Sequence, residues 1–151
     1  MSLRKSATFT IIGSPIPLFR ARPNYHQRRM WDSQSELKTY WKLLLEKMHK
    51  NRPPFAGPLS LRVFAFIELP VCRRKKWSSL TNTYHGSPPD ASNIVKWVED
   101  CCQLANLFKN DCLIADTQCI KIWTTEPKTV FTITELDPLY QINLQDYGLN
   151  L

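Results

Sequence analysis

Apolar and polar residues alternate from Thr8 to Ile12, a run rich in β-branched side chains that predicts a strand, stopped by Gly13-Ser14-Pro15-Ile16-Pro17. The period then lengthens. Ser33 and Glu36 have capping-box spacing, and Leu37, Tyr40, Trp41, Leu44, Leu45 and Met48 recur at helical spacing, which predicts a helix ending before Pro53-Pro54 with one face on the core. After Gly57-Pro58, Leu59 to Glu68 alternates again as a long strand. Leu61, Val63, Ala65 and Ile67 share one face and Arg62, Phe64 and Phe66 the other, so both faces call for cover. Leu69 to Pro89 has no strong period and reads as a long loop. Asn93 to about Leu107 predicts a second helix with Ile94, Val98, Cys101, Cys102 and Ala105 as its apolar stripe. Cys119 to Thr124 and Val130 to Thr134 predict two strands, joined as a hairpin through Glu126-Pro127-Lys128. The tail after Asp137-Pro138 is expected to dock late or stay partly disordered. This order of elements implies an α+β fold, a small mixed sheet with two main helices packed on it.

Composition narrows the partners. The 151 residues suit a single domain over residues 1–151, with a core at about 8–135 and a tail at 136–151, and 43% hydrophobic content fills a real core. A net charge of +7 points to a polyanion, nucleic acid before an acidic membrane surface. No run approaches the roughly 18 apolar residues of a membrane span. The opening MSLRKSATFTIIG is basic and then briefly apolar, but the alternation marks it as a strand rather than a signal peptide.

Five cysteines without a C-x-x-C pair, two of them adjacent at Cys101-Cys102 inside a predicted helix, favour reduced buried thiols over a zinc knuckle or a disulfide framework. His26, His49 and His85 are scattered, so neither zinc nor a histidine base is expected, and His85 reads as a solvated loop residue. The cations gather in two clusters. Arg20, Arg22, Arg28 and Arg29 interleave with Phe19, Tyr25 and Trp31, and Arg73, Arg74, Lys75 and Lys76 precede Trp77. Such groups bind backbone phosphates while aromatics stack on exposed bases, although each residue taken singly fits a solvated basic face equally well.

The chemistry concentrates between Pro89 and Lys121. Asp90 follows a Pro-Pro turn, Lys96 and Asp100 lie in the predicted helix, and Asp111 lies in the loop beyond it. Carboxylates and a lysine brought together by a turn, a helix and a loop can hold Mg²⁺ against a phosphodiester. Structural readings stand beside this one. Asp90 or Ser92 would serve as a helix cap, and Lys96 and Asp100, one turn apart, would form a surface ion pair.

These residues also carry a resemblance. Gly13-Ser14-Pro15-Ile16-Pro17, Arg22-Pro23, Pro89-Asp90-Ala91-Ser92-Asn93-Ile94-Val95-Lys96, Asp100, Asn110-Asp111, Lys121 and Thr132-Ile133-Thr134-Glu135 follow in the order found in the RusA family of Holliday junction resolvases. The resemblance runs from about Thr8 to Glu135. It implies a homodimeric, metal-dependent endonuclease of bacterial or phage origin, cytoplasmic and free of membrane, that makes paired nicks in four-way DNA. It implies Asp90, Lys96 and Asp111 as catalytic residues and Asp90, Asp111 and the Ser92 position as ligands of Mg²⁺, or alternatively Mn²⁺, with no small-molecule cofactor. Asn93, Asp100 and Asp116 are implied in support. Asp116 also opens an alternative match, D-x-Q with Gln118, that would need inserted residues.

Two departures stand out. The family motif P-D-x-D-N-x-x-K has a second Asp where this chain has Ser92, and Asn110 replaces the first acid of a D-D pair. The loss at Ser92 removes negative charge from a Mg²⁺ site. It sets a second expectation beside the nuclease: a catalytically weak or inactive protein that binds branched DNA.

Overall fold

The computed structural model describes residues 5–19, 22–24, 29–73 and 78–149, without the side chains of 22–24, 29–31 and 73. Among the described residues six strands and two α-helices form, in the order β1 (Ser6–Ile12), β2 (Arg22–Asn24), β3 (Arg29–Trp31), α1 (Ser35–Met48), β4 (Leu59–Glu68), α2 (Ala91–Leu104), β5 (Ile114–Thr124) and β6 (Lys128–Glu135). The α+β class and the small mixed sheet are as expected. The main sheet has the order β1-β6-β4-β5, and β2 pairs with β3 in a separate antiparallel ribbon.

The predicted hairpin between the last two strands does not form. β5 pairs parallel to one edge of β4, and β6 pairs antiparallel to the other. Three residues between β5 and β6 step over the end of β4, a distance of about 10 Å at ordinary strand spacing and within the reach of three extended residues. The reason lies in β4. Its ten residues are apolar on one face and largely apolar on the other, so it takes a central position instead of yielding it to its sequence neighbours. The parallel β4–β5 pair needs a long crossover, and α2 lies within it.

Both helices pack on one face of the sheet. Phe9, Leu61, Val63, Ala65, Phe131 and Ile133 meet Trp41, Leu45, Ile94, Trp97 and Val98 in a single core. Phe9 stacks on Phe131 at 5.1 Å, and Trp41 meets Trp97 edge-on at 5.8 Å, fixing α1 against α2. On the opposite face Phe64, Phe66, Ile120, Ile122 and Val130 stay half-buried at neighbouring register positions. No second layer covers them among the described residues, although Lys128 lies 5.1 Å over the Phe66 ring.

The start of α1 differs from the capping-box expectation. The N-cap is Gln34 rather than Ser33, and the Asp32 carboxylate, not a serine, accepts the Gln34 N–H at 2.8 Å. Gln34 itself turns inward. Its amide accepts from the Phe19 N–H at 2.8 Å and donates to the Pro17 carbonyl at 2.9 Å, tying the Gly-Pro segment to the helix. The buried face of α1 is also narrower than its spacing predicts, since Trp41 and Leu45 are buried while Leu37, Tyr40 and Met48 are exposed.

The tail beyond β6 folds into a turn at Leu144–Tyr147. With Pro58, Asp116 and Leu136 it borders an open cavity of about 520 Å³.

Candidate active site

The second helix begins at Asp90, which occupies the N-cap position without a side-chain capping bond. Its backbone carbonyl takes the N–H groups of Asn93 and Ile94, both at 3.2 Å, and its carboxylate is left exposed. Capping therefore does not consume the acid. Ser92 stands in the first turn, also exposed, and is not the cap. The positive end of the helix faces this turn, where an anion is favoured.

Two contacts hold the turn from behind. The Asn93 carbonyl accepts the Leu18 N–H at 2.9 Å, so the Gly13–Pro17 segment leads directly to the helix start. From β5, the Lys121 ammonium donates to the carbonyls of Ser87 and Pro89 at 2.6 and 2.9 Å. Lys121 thus clamps the Ser87–Pro89 turn just ahead of Asp90 onto the sheet.

His85 supports the same loop and is not the solvated residue its sequence context suggests. It is 5% exposed, its ring lies 4.0 Å from that of Trp123, and its Nδ1 accepts the Ser87 N–H at 3.3 Å. Burial, and then the nearby Lys121 charge, lower its pKa. The chain around it lies along β5, bonding His85 N–H to the Lys121 carbonyl and Trp123 N–H to the Thr83 carbonyl.

Lys96 lies about 9 Å along the helix axis from Asp90 at 1.5 Å per residue. Asp111 returns to it from the short turn Asp111–Leu113, and the ammonium is 3.7 Å from its carboxylate. Asn110 shapes that turn, its side-chain oxygen accepting the Cys112 N–H at 3.0 Å. A neutral side chain is sufficient for that task, which accounts for Asn110 structurally. The closer partner of Lys96 is Glu99, at 2.6 Å. The pKa of Lys96 is raised, first by the Glu99 carboxylate beside it, against some opposing burial.

The supporting acids go elsewhere. Asp100 faces Lys38 of α1 at 3.5 Å, and Lys38 also meets Asp32 at 3.0 Å. Burial works against the Lys38 charge, but the two carboxylates outweigh it and raise its pKa. Asp116 lies across the β4–β5 pair and accepts the Ser60 hydroxyl at 2.8 Å, beside the tail cavity. The structure therefore brings Lys96 and Asp111 together and places Asp100 and Asp116 in separate contacts.

No group of three or more His, Cys, Asp or Glu side chains has metal-holding geometry among the described residues. Cys101 and Cys102 are buried, burial pushing the former up to about 12 and the latter also upward, while Cys72 and Cys112 are exposed. Of the basic clusters, Arg20, Arg28, Arg74, Lys75 and Lys76 lie outside the described residues, and Arg22, Arg29 and Arg73 are described in backbone only.

Glu99 is a site residue that the motif does not mark. Its signal was present, however: an acid four residues after Val95 and three before Cys102, on the stripe that packs inward.

A net charge of +7, exposed acids and a lysine near a helix N-terminus are the makings of a protein that works on phosphodiesters. The chain belongs to the RusA endodeoxyribonuclease family, whose model matches residues 11–134. That family is one of Holliday junction resolvases. No curated protein matches the chain.

Proposed function

We propose that this chain is a divalent-metal-dependent, structure-selective endonuclease that acts as a homodimer and nicks four-way DNA junctions in pairs. The observation that carries the reading is the approach of Lys96 to Asp111 at 3.7 Å, on a helix whose start leaves the Asp90 carboxylate uncapped, within the segment bearing the family motif.

Asp90 and Asp111, with the Ser92 hydroxyl, would hold Mg²⁺ or Mn²⁺. The donor set fits, because Mg²⁺ takes one or two carboxylates and keeps several waters. A cation held there supplies Lewis-acid charge and a water made more acidic for attack on phosphorus. The chain's own contributions are electrostatic. The N-terminal turn of α2 receives the phosphate, and Lys96 offsets charge that develops on its oxygens. The basic clusters grip the flanking backbone, and a two-fold dimer matches the symmetry of paired nicks.

A second reading is a junction-binding protein with weak or no cleavage. The hydroxyl of Ser92 favours it, since it brings no negative charge to the ligand set.

Labelled four-way junction incubated with Mg²⁺ or Mn²⁺ separates the two. Metal-dependent paired nicks, lost in Asp90→Asn, are the expected result. Tight binding without nicks under either metal would sink the nuclease and leave the binding protein. Ser92→Asp is expected to raise cleavage at least about tenfold, in the range by which metal-site changes alter activity. No gain would show that Ser92 is not a defect.

A further inference from the structure

Lys96 is a long side chain at an exposed position, and such lysines sample many rotamers. Here it is held from below. Its side chain is 54% exposed, whereas that of Glu99 is 8% exposed, and the two meet at 2.6 Å with a spacing of three residues on α2. Glu99 Oε2 is buried and has no well-aligned hydrogen-bond donor among the described residues. The nearby ammonium lies close but off the best hydrogen-bond direction, so its charge is what neutralises the acid. A carboxylate in that setting strongly disfavours a state in which its counter-ion has left. The exposed lysine is therefore tethered to a fixed point in the core, set by Val95, Val98 and Cys102 on the same face.

Asp111 does not supply that tether. Its side chain is 48% exposed and its carboxylate is 3.7 Å from the ammonium, beyond hydrogen-bond range. The two acids thus differ in task. One is buried and close, and the other is exposed and open to other partners.

We infer that Glu99 is a positioning residue, which pins the Lys96 ammonium at the scissile phosphate while leaving the Asp111 carboxylate available to the cation. This rests on the nuclease reading above. Placement errors of about 1 Å cost rate steeply, on the order of 100-fold, so a lysine that offsets developing charge gains from such a tether. Asp100, the other acid one turn from Lys96, is engaged by Lys38 at 3.5 Å and stands mostly out of this role.

Glu99→Gln tests it, because the amide keeps the volume and an acceptor oxygen while losing the charge. Two measurements apply. The first is NMR relaxation of the Lys96 ammonium and its ε-methylene in the full chain, which needs no activity. The tether predicts a rigid group in the parent and a mobile one in Glu99→Gln. The second is junction cleavage in a double-mutant cycle with Lys96→Met. Glu99→Gln alone is expected to lower the single-turnover rate about 10- to 100-fold, with junction Kd changed less than about twofold. In the Lys96→Met background the same change is expected to cost no more than about twofold, because its route to the phosphate is gone.

An equally mobile Lys96 in parent and variant overturns the inference, and so does a full-sized loss of rate in the Lys96→Met background. Glu99→Asp, which keeps the charge on a shorter stem, is expected to recover part of the rate and part of the rigidity. Recovery of neither also counts against the tether. A parent chain that binds junctions but never nicks them removes the nuclease reading, while the relaxation measurement still decides whether Glu99 holds Lys96.

Discussion

Buried histidines give single residues a measurable voice in this fold. His49 and His85 are both buried, and burial is the first cause lowering each pKa below the ordinary 6.5. Each is therefore held neutral in the native state. The unfolded chain binds more protons than the native one between the native and unfolded values, so stability rises with pH there. Their contribution is complete above about pH 6.5 and disappears as pH falls through the lowered native values. Asp32, whose pKa lies below 3.8 mainly through the Gln34 N–H, loses its own contribution only at more acid pH, and Lys38 and Lys96 lose theirs only above 10.5. Thermal melts are thus expected to show a lower Tm at pH 5.5 than at pH 7.5, and a smaller difference in the double variant His49→Gln, His85→Gln. An unchanged slope in that variant would mean that other groups set the acid response. At this scale the sequence exposed the acids and Lys96, because helical spacing and the motif both act on neighbours in the chain. His85 was hidden by contrast, since its burial depends on Trp123 and on a loop pairing with β5 that no local pattern encodes.

Elements were legible wherever their signals were local. The alternation of β1 and β4 and the stripe of α2 all match their burial, with Phe9, Ile11, Leu61, Val63, Ile94 and Val98 inside. Pairing was not legible, because the brief link through Glu126-Pro127-Lys128 looks the same in a hairpin and in a step over β4. The start of α1 was read one residue early for a related reason, and α2 begins at Ala91, two residues before the expected Asn93. S-x-x-E spacing at Ser33 competes with Asp32 and Gln34, and the Gly-Pro segment decides the matter by offering Gln34 a carbonyl at Pro17 and an N–H at Phe19. That makes Gln34 a joint between α1 and the segment that reaches α2 through Leu18 and Asn93. Gln34 is buried, so truncating it removes the partner of a part-buried donor at Phe19 and a part-buried acceptor at Pro17. Gln34→Ala is expected to destabilise the chain by about 1–3 kcal/mol. Urea unfolding with an unchanged slope gives the number, and a change within error of zero would show that water replaces the amide without loss.

For the whole molecule the decisive property is charge, not shape. The excess of +7 is carried by other cations, since Lys38 and Lys96 are each offset by carboxylates. The clusters at Arg20 to Arg29 and Arg73 to Lys76 are the densest groups of cations in the sequence to meet a polyanion, and both flank segments that lead to the candidate active-site turn in sequence. A protein that grips phosphates releases condensed counter-ions, so log K falls linearly with log salt at a slope near −0.9 per phosphate on duplex arms. Replacing Arg73, Arg74, Lys75 and Lys76 together with Ser removes up to four such contacts. The salt slope for four-way junction binding is then expected to become shallower by about 2–4 if most of them meet phosphate. Affinity should fall for junction and plain duplex alike, because phosphate contacts carry no sequence information. The cleavage rate at saturating protein should hardly change, since Lys96, Glu99 and Asp111 lie on α2 and the turn after it. A weaker affinity with the salt slope intact would place these cations off the DNA. Loss of the saturated rate would place them in the active site instead, so binding isotherms at several salt concentrations and one single-turnover time course together separate gripping from chemistry.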